Sequence, residues 1–317
     1  MNKEKILGLT PALELMIRKV YYSQNSILKS LVLIAKKLKA RCDVTTQKAE
    51  TYDGSEWDTI KNYIIKLGIR HGDLLIVHSS AEELSRIGAN LKDVLQFLCE
   101  LVGENGTLAI PCFPLYDDKN YDTEKKIYHY NPKRTICSTG LLPNLFIRTK
   151  GVIRSQFPWN SLAAKGVLAH DMMEHNLDTD LAHGKGSAWE FCMNHKAKIL
   201  LLGVKSSHST TMVHVAEDVL DDKWPIDNWY ENKTFLVKNG IEEKEVTVRM
   251  RKHEWAKYNA SWYRSCQFRK YGILNETEID NFNVGFIEDS KKMVDFIINE
   301  TLKHRPFFVV PKRCYKK

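Results

Sequence analysis

From Trp57 onward, short unbroken apolar runs alternate with stretches of helical spacing. Leu74-Leu-Ile-Val-His78, Thr107-Leu-Ala-Ile110 and Lys198-Ile-Leu-Leu-Leu-Gly203 are brief and show no polar alternation, so they predict strands buried on both faces. Between them, Trp57 to Leu67, Leu91 to Val102, Thr139 to Thr149 and Thr210 to Leu220 predict helices, the first two stopped by Gly68 and Gly103. This alternation predicts the α/β class, a layered α/β/α sandwich around a central sheet. After Trp224-Pro225 the rhythm changes. Residues Lys233–Asn239 and Lys244–Arg249 alternate at period two around Asn239-Gly240, a hairpin pattern inside an aromatic-rich stretch, 224–270. A helix from Glu288 to about Leu302 and a strand over Pro306–Val310 are predicted to close the chain.

The first fifty residues differ. Helices are predicted from Pro11 to about Tyr22 and from Ser26 to about Arg41, followed by a polar linker over 43–55. In the second helix Ile27, Leu28, Leu31, Ile34, Ala35 and Leu38 recur at helical spacing among lysines. Such a helix can dock on an anionic membrane surface, or pack on the folded body or on a second copy. The organisation expected is a basic helical arm and linker over 1–50 and one folded domain over 51–317.

Charge sharpens this division. The 317 residues carry a formal net charge of +8. Residues 1–41 hold nine Lys/Arg and two Glu, a net of +7, which leaves +1 for the remainder. A nucleic-acid binder would carry a basic face on its body as well, so nucleic acid is not an expected partner. Neither a secretory leader nor an apolar run long enough for a membrane span is read, and a cytoplasmic location is expected. The seven cysteines form no C-x-x-C pair, which argues against a thiolate metal site or a disulfide framework.

Four places gather chemistry-bearing residues near predicted strand ends, where open α/β sheets bind ligands. His78-Ser79-Ser80 follows the first buried strand. Arg154-Ser155 precedes the turn at Pro158, and an arginine in a loop suits a phosphate. His183-Gly-Lys-Gly186-Ser187 allows close backbone approach and a helix start at Ser187, without the P-loop pattern. On the Thr210–Leu220 helix, Thr211, His214 and Glu217 recur every three residues and share a face. A carboxylate beside an imidazole orients it and raises its basicity, as a general base requires. His208 with His214 and Glu217 also permits a metal site, and with it a zinc-dependent hydrolase, although H-E-x-x-H is lacking.

The order of these landmarks resembles the aminoglycoside 3-N-acetyltransferase, or antibiotic N-acetyltransferase, family. The matching strings are Val77-His-Ser-Ser80 with Ile87-Gly88, Gly103-Glu-Asn-Gly-Thr-Leu-Ala-Ile-Pro111-Cys-Phe113 and Gly140-Leu-Leu-Pro-Asn-Leu-Phe146. Gly151-Val-Ile-Arg-Ser155 with Pro158, Ser161-Leu-Ala-Ala-Lys-Gly166, Gly184-Lys-Gly-Ser187 and Leu200-Leu-Leu-Gly203 follow, leading to Thr211-Met-Val-His-Val-Ala-Glu217. The resemblance implies the antibiotic N-acetyltransferase-like fold and an acetyl-CoA-dependent N-acetyltransferase that needs no metal. Carried onto this sequence, His214 would be the general base, Glu217 its orienting partner, and Thr211 a hydroxyl near the thioester. His78, Ser79, Ser80, Arg154, Ser155 and Ser187 would help hold the CoA arm and its phosphates.

The chain departs from the family pattern at Phe157, where His is usual, and at Ala188, where Pro is common. A near-neutral body suits a polycationic acceptor poorly. Trp229, Tyr230, Trp255, Tyr258, Trp262 and Tyr263 offer stacking surfaces for a sugar or a nucleobase, or simply core. The acceptor expected is therefore a small amino sugar linked to UDP or dTDP, of the kind used for surface polysaccharides. The alternatives are an aminoglycoside and a non-enzymatic binding protein. The basic arm makes peripheral membrane contact and a homo-oligomer further expectations.

Overall fold

A computed structural model describes residues 10–21 and 55–317. The predicted helix Ser26–Arg41, Cys42 and the linker up to residue 54 lie outside the described residues. The elements, in chain order, begin with helix α1 (Pro11–Tyr21), helix α2 (Ser55–Ile65), strand β1 (Leu74–Ser79), helix α3 (Ala81–Arg86), helix α4 (Leu91–Val102) and strand β2 (Thr107–Pro111). Strands β3 (Tyr121–Asp122) and β4 (Ile127–Tyr130), helix α5 (Leu141–Phe146) and strands β5 (Ile153–Arg154) and β6 (Leu162–Gly166) come next. Helices α6 (Ala169–Glu174) and α7 (Ala188–Asn194) lead into strand β7 (Lys198–Leu202), helix α8 (Ser206–Ser209) and helix α9 (Val215–Leu220). The chain closes with strands β8 (Tyr230–Asn239) and β9 (Glu242–Arg251), helix α10 (Ser261–Lys270), strands β10 (Asn275–Ile279) and β11 (Phe282–Ile287), and helix α11 (Ser290–Lys303).

The central sheet runs in the order β10-β11-β7-β1-β2-β6-β5. The buried runs predicted from sequence are its parallel middle: β1 pairs in parallel with both β2 and β7. Antiparallel pairs widen it at each side, β11 with β7 and β6 with β2. Alternate residues of these strands feed two cores, which makes the predicted layers explicit. Leu75, Val77, Leu108, Ile110 and Leu200 face Ile60, Ile64, Val94, Leu98 and Phe146, from α2, α4 and α5. Leu74, Ile76, Ala109, Ile199 and Leu201 face Met172, Trp189, Ala216, Phe268, Met293 and Ile297, from α6, α7, α9, α10 and α11. On this alternation His78 falls on the second face and Ser79 on the first.

A smaller sheet, β3-β4-β8-β9, stands beside it. The predicted hairpin is its spine, with a two-residue connection at Gly240-Ile241, because Asn239 pairs with Glu242. Gly240 takes φ +69, which supplies the left-handed turn.

Three predictions are corrected. Pro306–Val310 is not a strand: only Phe308 pairs, in one bridge to Asn259, while Phe307 and Phe308 sink into two different cores. The Thr139–Thr149 helix shrinks to α5, which starts after Gly140 at φ +113. The Thr210–Leu220 helix is broken: Thr211–His214 is a tighter 3-10 turn and α9 starts only at Val215. Of the two roles left open for the aromatic stretch, core is the one seen for Trp229 and Trp255, which are buried with ring centroids 5.5 Å apart beside Trp224 and Phe308.

The described part of the arm is docked. The Glu14 carboxylate is fully buried and accepts the backbone N–H groups of Trp262 (3.0 Å) and Tyr263 (2.9 Å), at the N-terminus of α10. An anion suits the positive end of a helix. Arg18 bonds to Glu14 (2.9 Å) and to the Ser261 hydroxyl (2.5 Å). Packing, rather than a free surface, is thus the role of α1. No helix among the described residues is long and apolar enough to cross a membrane. The six described cysteines are all free.

Candidate active site

Gly203 ends β7 at φ +69, where a Cβ would lie 2.5 Å from Glu83 Cβ, so only glycine fits this close approach. The chain thereby turns into α8 and the 3-10 turn that carries Thr211 and His214, above the C-terminal ends of the parallel strands. His214 Nδ1 lies 2.6 Å from Glu217 Oε1. The other Glu217 oxygen accepts the Trp229 indole N–H at 3.2 Å, and Arg251 Nη1 reaches Oε1 at 3.2 Å. With the Nδ1 proton given to Glu217, the 3.0 Å approach of Arg251 to Nδ1 is a close contact and not a second hydrogen bond. Nε2 is left as the ring nitrogen with no partner among the described residues.

Burial pulls the His214 pKa down to about 4, against the upward pull of the Glu217 charge, so the imidazole is neutral at pH 7. Burial pushes the Glu217 carboxyl up, but His214 and Arg251 outweigh it and hold it at about 2. A neutral, oriented imidazole beside an ionised carboxylate is competent to accept a proton.

Two cavities meet here. The first, of about 310 Å³, is lined by His214, Glu217, Asp218, Trp159, Arg251 and Arg264, among others. The second, of about 220 Å³, is lined by His78, Ser79, Pro111, Thr139 and Ser209 at the strand ends. Phe113, His208 and Thr211 border both. His78 and Ser79 therefore sit in the second cavity, His214 and Glu217 in the first, and Thr211 between them. Thr211 owes this place to the turn, because it and Glu217 are not on one continuous helix. His78 is buried with Nε2 unpartnered, and its ring lies 6.4 Å from that of Trp189. The Ser79 hydroxyl is also buried without a partner. Burial takes His78 down to about 3.

The other residues expected to hold CoA are engaged elsewhere. Ser80 and Ser187 are helix N-caps, accepting the N–H groups of Glu83 (3.2 Å) and Glu190 (3.1 Å). Arg154 is 7% exposed and donates to the carbonyls of Cys112 (2.6 Å) and Thr135 (2.5 Å), beside the Tyr130 ring. The Ser155 hydroxyl donates to Asn176 Oδ1 (2.5 Å) and accepts the Phe157 N–H (3.0 Å). These four side chains hold the loops around the site and do not reach into it. The metal reading fails on geometry: among the described residues only the exposed trio His170, Asp171 and Glu174 brings ligand atoms together, and His208 does not join His214 and Glu217. None of the six aromatics weighed as stacking surfaces or core lines either cavity; Trp159 and Phe113 do.

A second histidine–carboxylate pair escaped the sequence reading. His183 Nδ1 lies 2.9 Å from Asp218 Oδ2, which also accepts the His183 backbone N–H at 3.0 Å. The Tyr230 hydroxyl donates to Asp218 Oδ1 at 2.9 Å. Asn160 Nδ2 stands 3.3 Å from His183 Nε2, which fixes the ring at both nitrogens. Nothing in the spacing links His183 to Asp218. Arg249 and Arg251, which the sequence reading also missed, do carry a signal: two residues apart on β9 they share one face, and both line the first cavity.

The sequence profile described as Aminoglycoside 3-N-acetyltransferase matches residues 76–300, well over half of the chain. The chain belongs to the aminoglycoside 3-N-acetyltransferase family. Among curated members of the family it is similar to aminoglycoside N(3)-acetyltransferase IX of Micromonospora chalcea, 30% identical over 175 residues, covering 51% of this chain and 61% of that protein. Aminoglycoside N(3)-acetyltransferase III of Acinetobacter baumannii is 31% identical over 176 residues, covering 51% and 60%. The chain thus spans about three fifths of the length of these relatives. A solved structure described as AAC-IIIb in binary complex with CoASH superposes with a TM-score of 0.66 at 19% identity, covering 78% of this chain and 97% of that one. The family fold predicted from the ordered landmarks is therefore the observed one.

Proposed function

We propose that this family member is an acetyl-CoA-dependent N-acetyltransferase acting on the amino group of an amino sugar. The observation that carries this is a neutral histidine, oriented by a buried carboxylate, at the meeting of two cavities. The second cavity suits the acyl donor, because His78 Nε2 and the Ser79 hydroxyl are buried there without protein partners. A structural neighbour is described as binding CoASH, in keeping with this assignment.

His214 Nε2 takes a proton from the acceptor ammonium, and the freed amine attacks the thioester carbonyl from the first cavity. Thr211, bordering both cavities, supplies a hydroxyl donor to the oxygen that becomes negative. The newly bonded nitrogen gives up its extra proton to solvent, collapse breaks the C–S bond, and the imidazolium returns its proton to the departing thiolate. Glu217 stays ionised throughout and stabilises the charged imidazole. No covalent enzyme intermediate is required.

The relatives' names favour an aminoglycoside acceptor. The first cavity favours another: its lining has three guanidiniums, Arg249, Arg251 and Arg264, against two carboxylates, Glu217 and Asp218. Arg249 is balanced by Asp180 and Asp221, and Arg251 is paired with Glu217, so a polycation would meet Arg264, which has no ion-pair partner among the described residues. We therefore place an amino sugar attached to a nucleotide ahead of an aminoglycoside. The test is release of CoA thiol from acetyl-CoA with UDP- and dTDP-linked amino sugars run beside kanamycin-type aminoglycosides. Turnover with an amine supports the transferase reading, and the preferred amine decides between the acceptors. Absence of thiol release with both classes would overturn the reading.

A further inference from the structure

The charges lining the first cavity are almost all spent on one another. Arg249 is held in a two-point pair by Asp221, with 2.9 Å at both nitrogens, and by Asp180 at 2.8 Å. Glu217 is committed to His214, Trp229 and Arg251, and Asp218 to His183 and Tyr230. Arg264 is the exception. It lies on the first turns of α10, is only 5% exposed, and makes no ion pair among the described residues. One nitrogen donates to Asn259 Oδ1 at 3.1 Å, while Nε is buried with no partner.

Burying an unpaired guanidinium is costly, and a group that completes it in the functional state would offset that cost. Burial draws the Arg264 pKa down to about 10, with the Glu217 charge opposing, and the group remains cationic at pH 7. Arg251 lines the same cavity, and its positive charge is among those that disfavour the cationic form of Arg264. Two guanidiniums facing one polar cavity, with one of them unpaired, match a group that carries more than one negative charge and several acceptor oxygens.

We propose that Arg264 and Arg251 form a phosphoryl-binding subsite, and that the acceptor is an amino sugar bearing a phosphate or diphosphate. This rests on the transferase reading for the acceptor, but the anion site itself does not. The phosphoryl group pairs with the guanidiniums at the α10 and β9 side of the cavity, while the amine is presented to His214. Glu217 and Asp218, the two carboxylates in the lining, do not oppose the anion strongly, because each is already neutralised or hydrogen-bonded on both oxygens. Specificity then follows from charge: a phosphorylated amino sugar completes Arg264, whereas a polycationic one leaves it unpaired and adds repulsion.

Two measurements test this on the full-length chain. Inorganic pyrophosphate is titrated calorimetrically into protein saturated with CoA, so that the donor cavity is filled. Binding is expected for the natural protein, with roughly a tenfold or greater loss in Arg264→Gln and a smaller loss in Arg264→Lys. In parallel, kcat/KM is measured for glucosamine 6-phosphate and for glucosamine, and their ratio is expected to fall about tenfold in Arg264→Gln. Pyrophosphate binding with no acetyl transfer to any amine would uphold the anion site and remove the transferase reading. Natural protein that binds no pyrophosphate, or that acetylates both sugars equally, would overturn the subsite without recourse to any variant.

Discussion

The rings of His183 and His214 lie 5.5 Å apart, and each is held by one of two consecutive carboxylates, Asp218 and Glu217. Consecutive residues on a helix point about 100° apart, so one turn of α9 serves both histidines. The two differ in what remains free. His183 has partners at both nitrogens, whereas His214 keeps Nε2. One is thereby a fixed wall, and the other keeps a ring nitrogen for the proton transfer proposed for it.

His214→Ala should reduce kcat by about 10²–10⁴-fold, the usual contribution of a general base. Binding of acetyl-CoA, measured by calorimetry, should change little, because His78 and Ser79 rather than His214 line the second cavity. Normal turnover by this variant would refute the base assignment.

Activity should persist well below the ordinary histidine range. His214 loses its proton near pH 4 in the folded protein, so the acid limb of kcat/KM against pH should lie below pH 6.5. The Arg251 charge helps hold that value down, and Arg251→Gln should move the limb towards higher pH. Stability follows the same sign. The folded pKa lies below the unfolded value of about 6.5, so unfolding takes up a proton between about pH 4 and 6.5. Urea unfolding should show the favourable contribution above pH 6.5 and its progressive loss towards pH 4. A flat profile would contradict this.

Glu14→Ala should destabilise the protein by about 2 kcal/mol, since it strips an acceptor from two buried N–H groups and from Arg18. The same change loosens the start of α10, from which Arg264 enters the first cavity. Thermal unfolding of Glu14→Ala and Glu14→Gln checks this. An unchanged midpoint in both would show that α1 contributes nothing to the fold.

Much of the scaffold is legible in the sequence. Strands buried on both faces must be short unbroken apolar runs, which is how β1, β2 and β7 present themselves. The hairpin announces itself by period two and a glycine that takes φ +69. Edge strands are harder. Asn275–Ile279 is polar and half-exposed, and Gly285 interrupts its partner, so neither stands out as a strand before pairing. The end of the chain misleads in the opposite way: Phe307, Phe308 and Val310 look like a strand but are anchors for separate cores.

In the site, His214 and Glu217 are legible because they interact over three residues. Thr211 joins them in the lining of the first cavity, but from a 3-10 turn, in which residues three apart share a face, and not from one continuous helix. His183 and Asp218 are separated by 35 residues, and only the fold brings them together. Arg154 and Ser155 look like ligand groups in a loop, yet buried carbonyls and Asn176 claim them. A sequence shows which side chains are able to bind a phosphate, but not which already have partners.

The most direct measurement is thiol release from acetyl-CoA with an amino-sugar panel, comparing the natural protein with His214→Ala. Amine-dependent release by the natural protein, lost in the variant while CoA still binds, is the predicted result. Release that is independent of the amine, or equal in both proteins, would contradict a transferase built on His214 and Glu217.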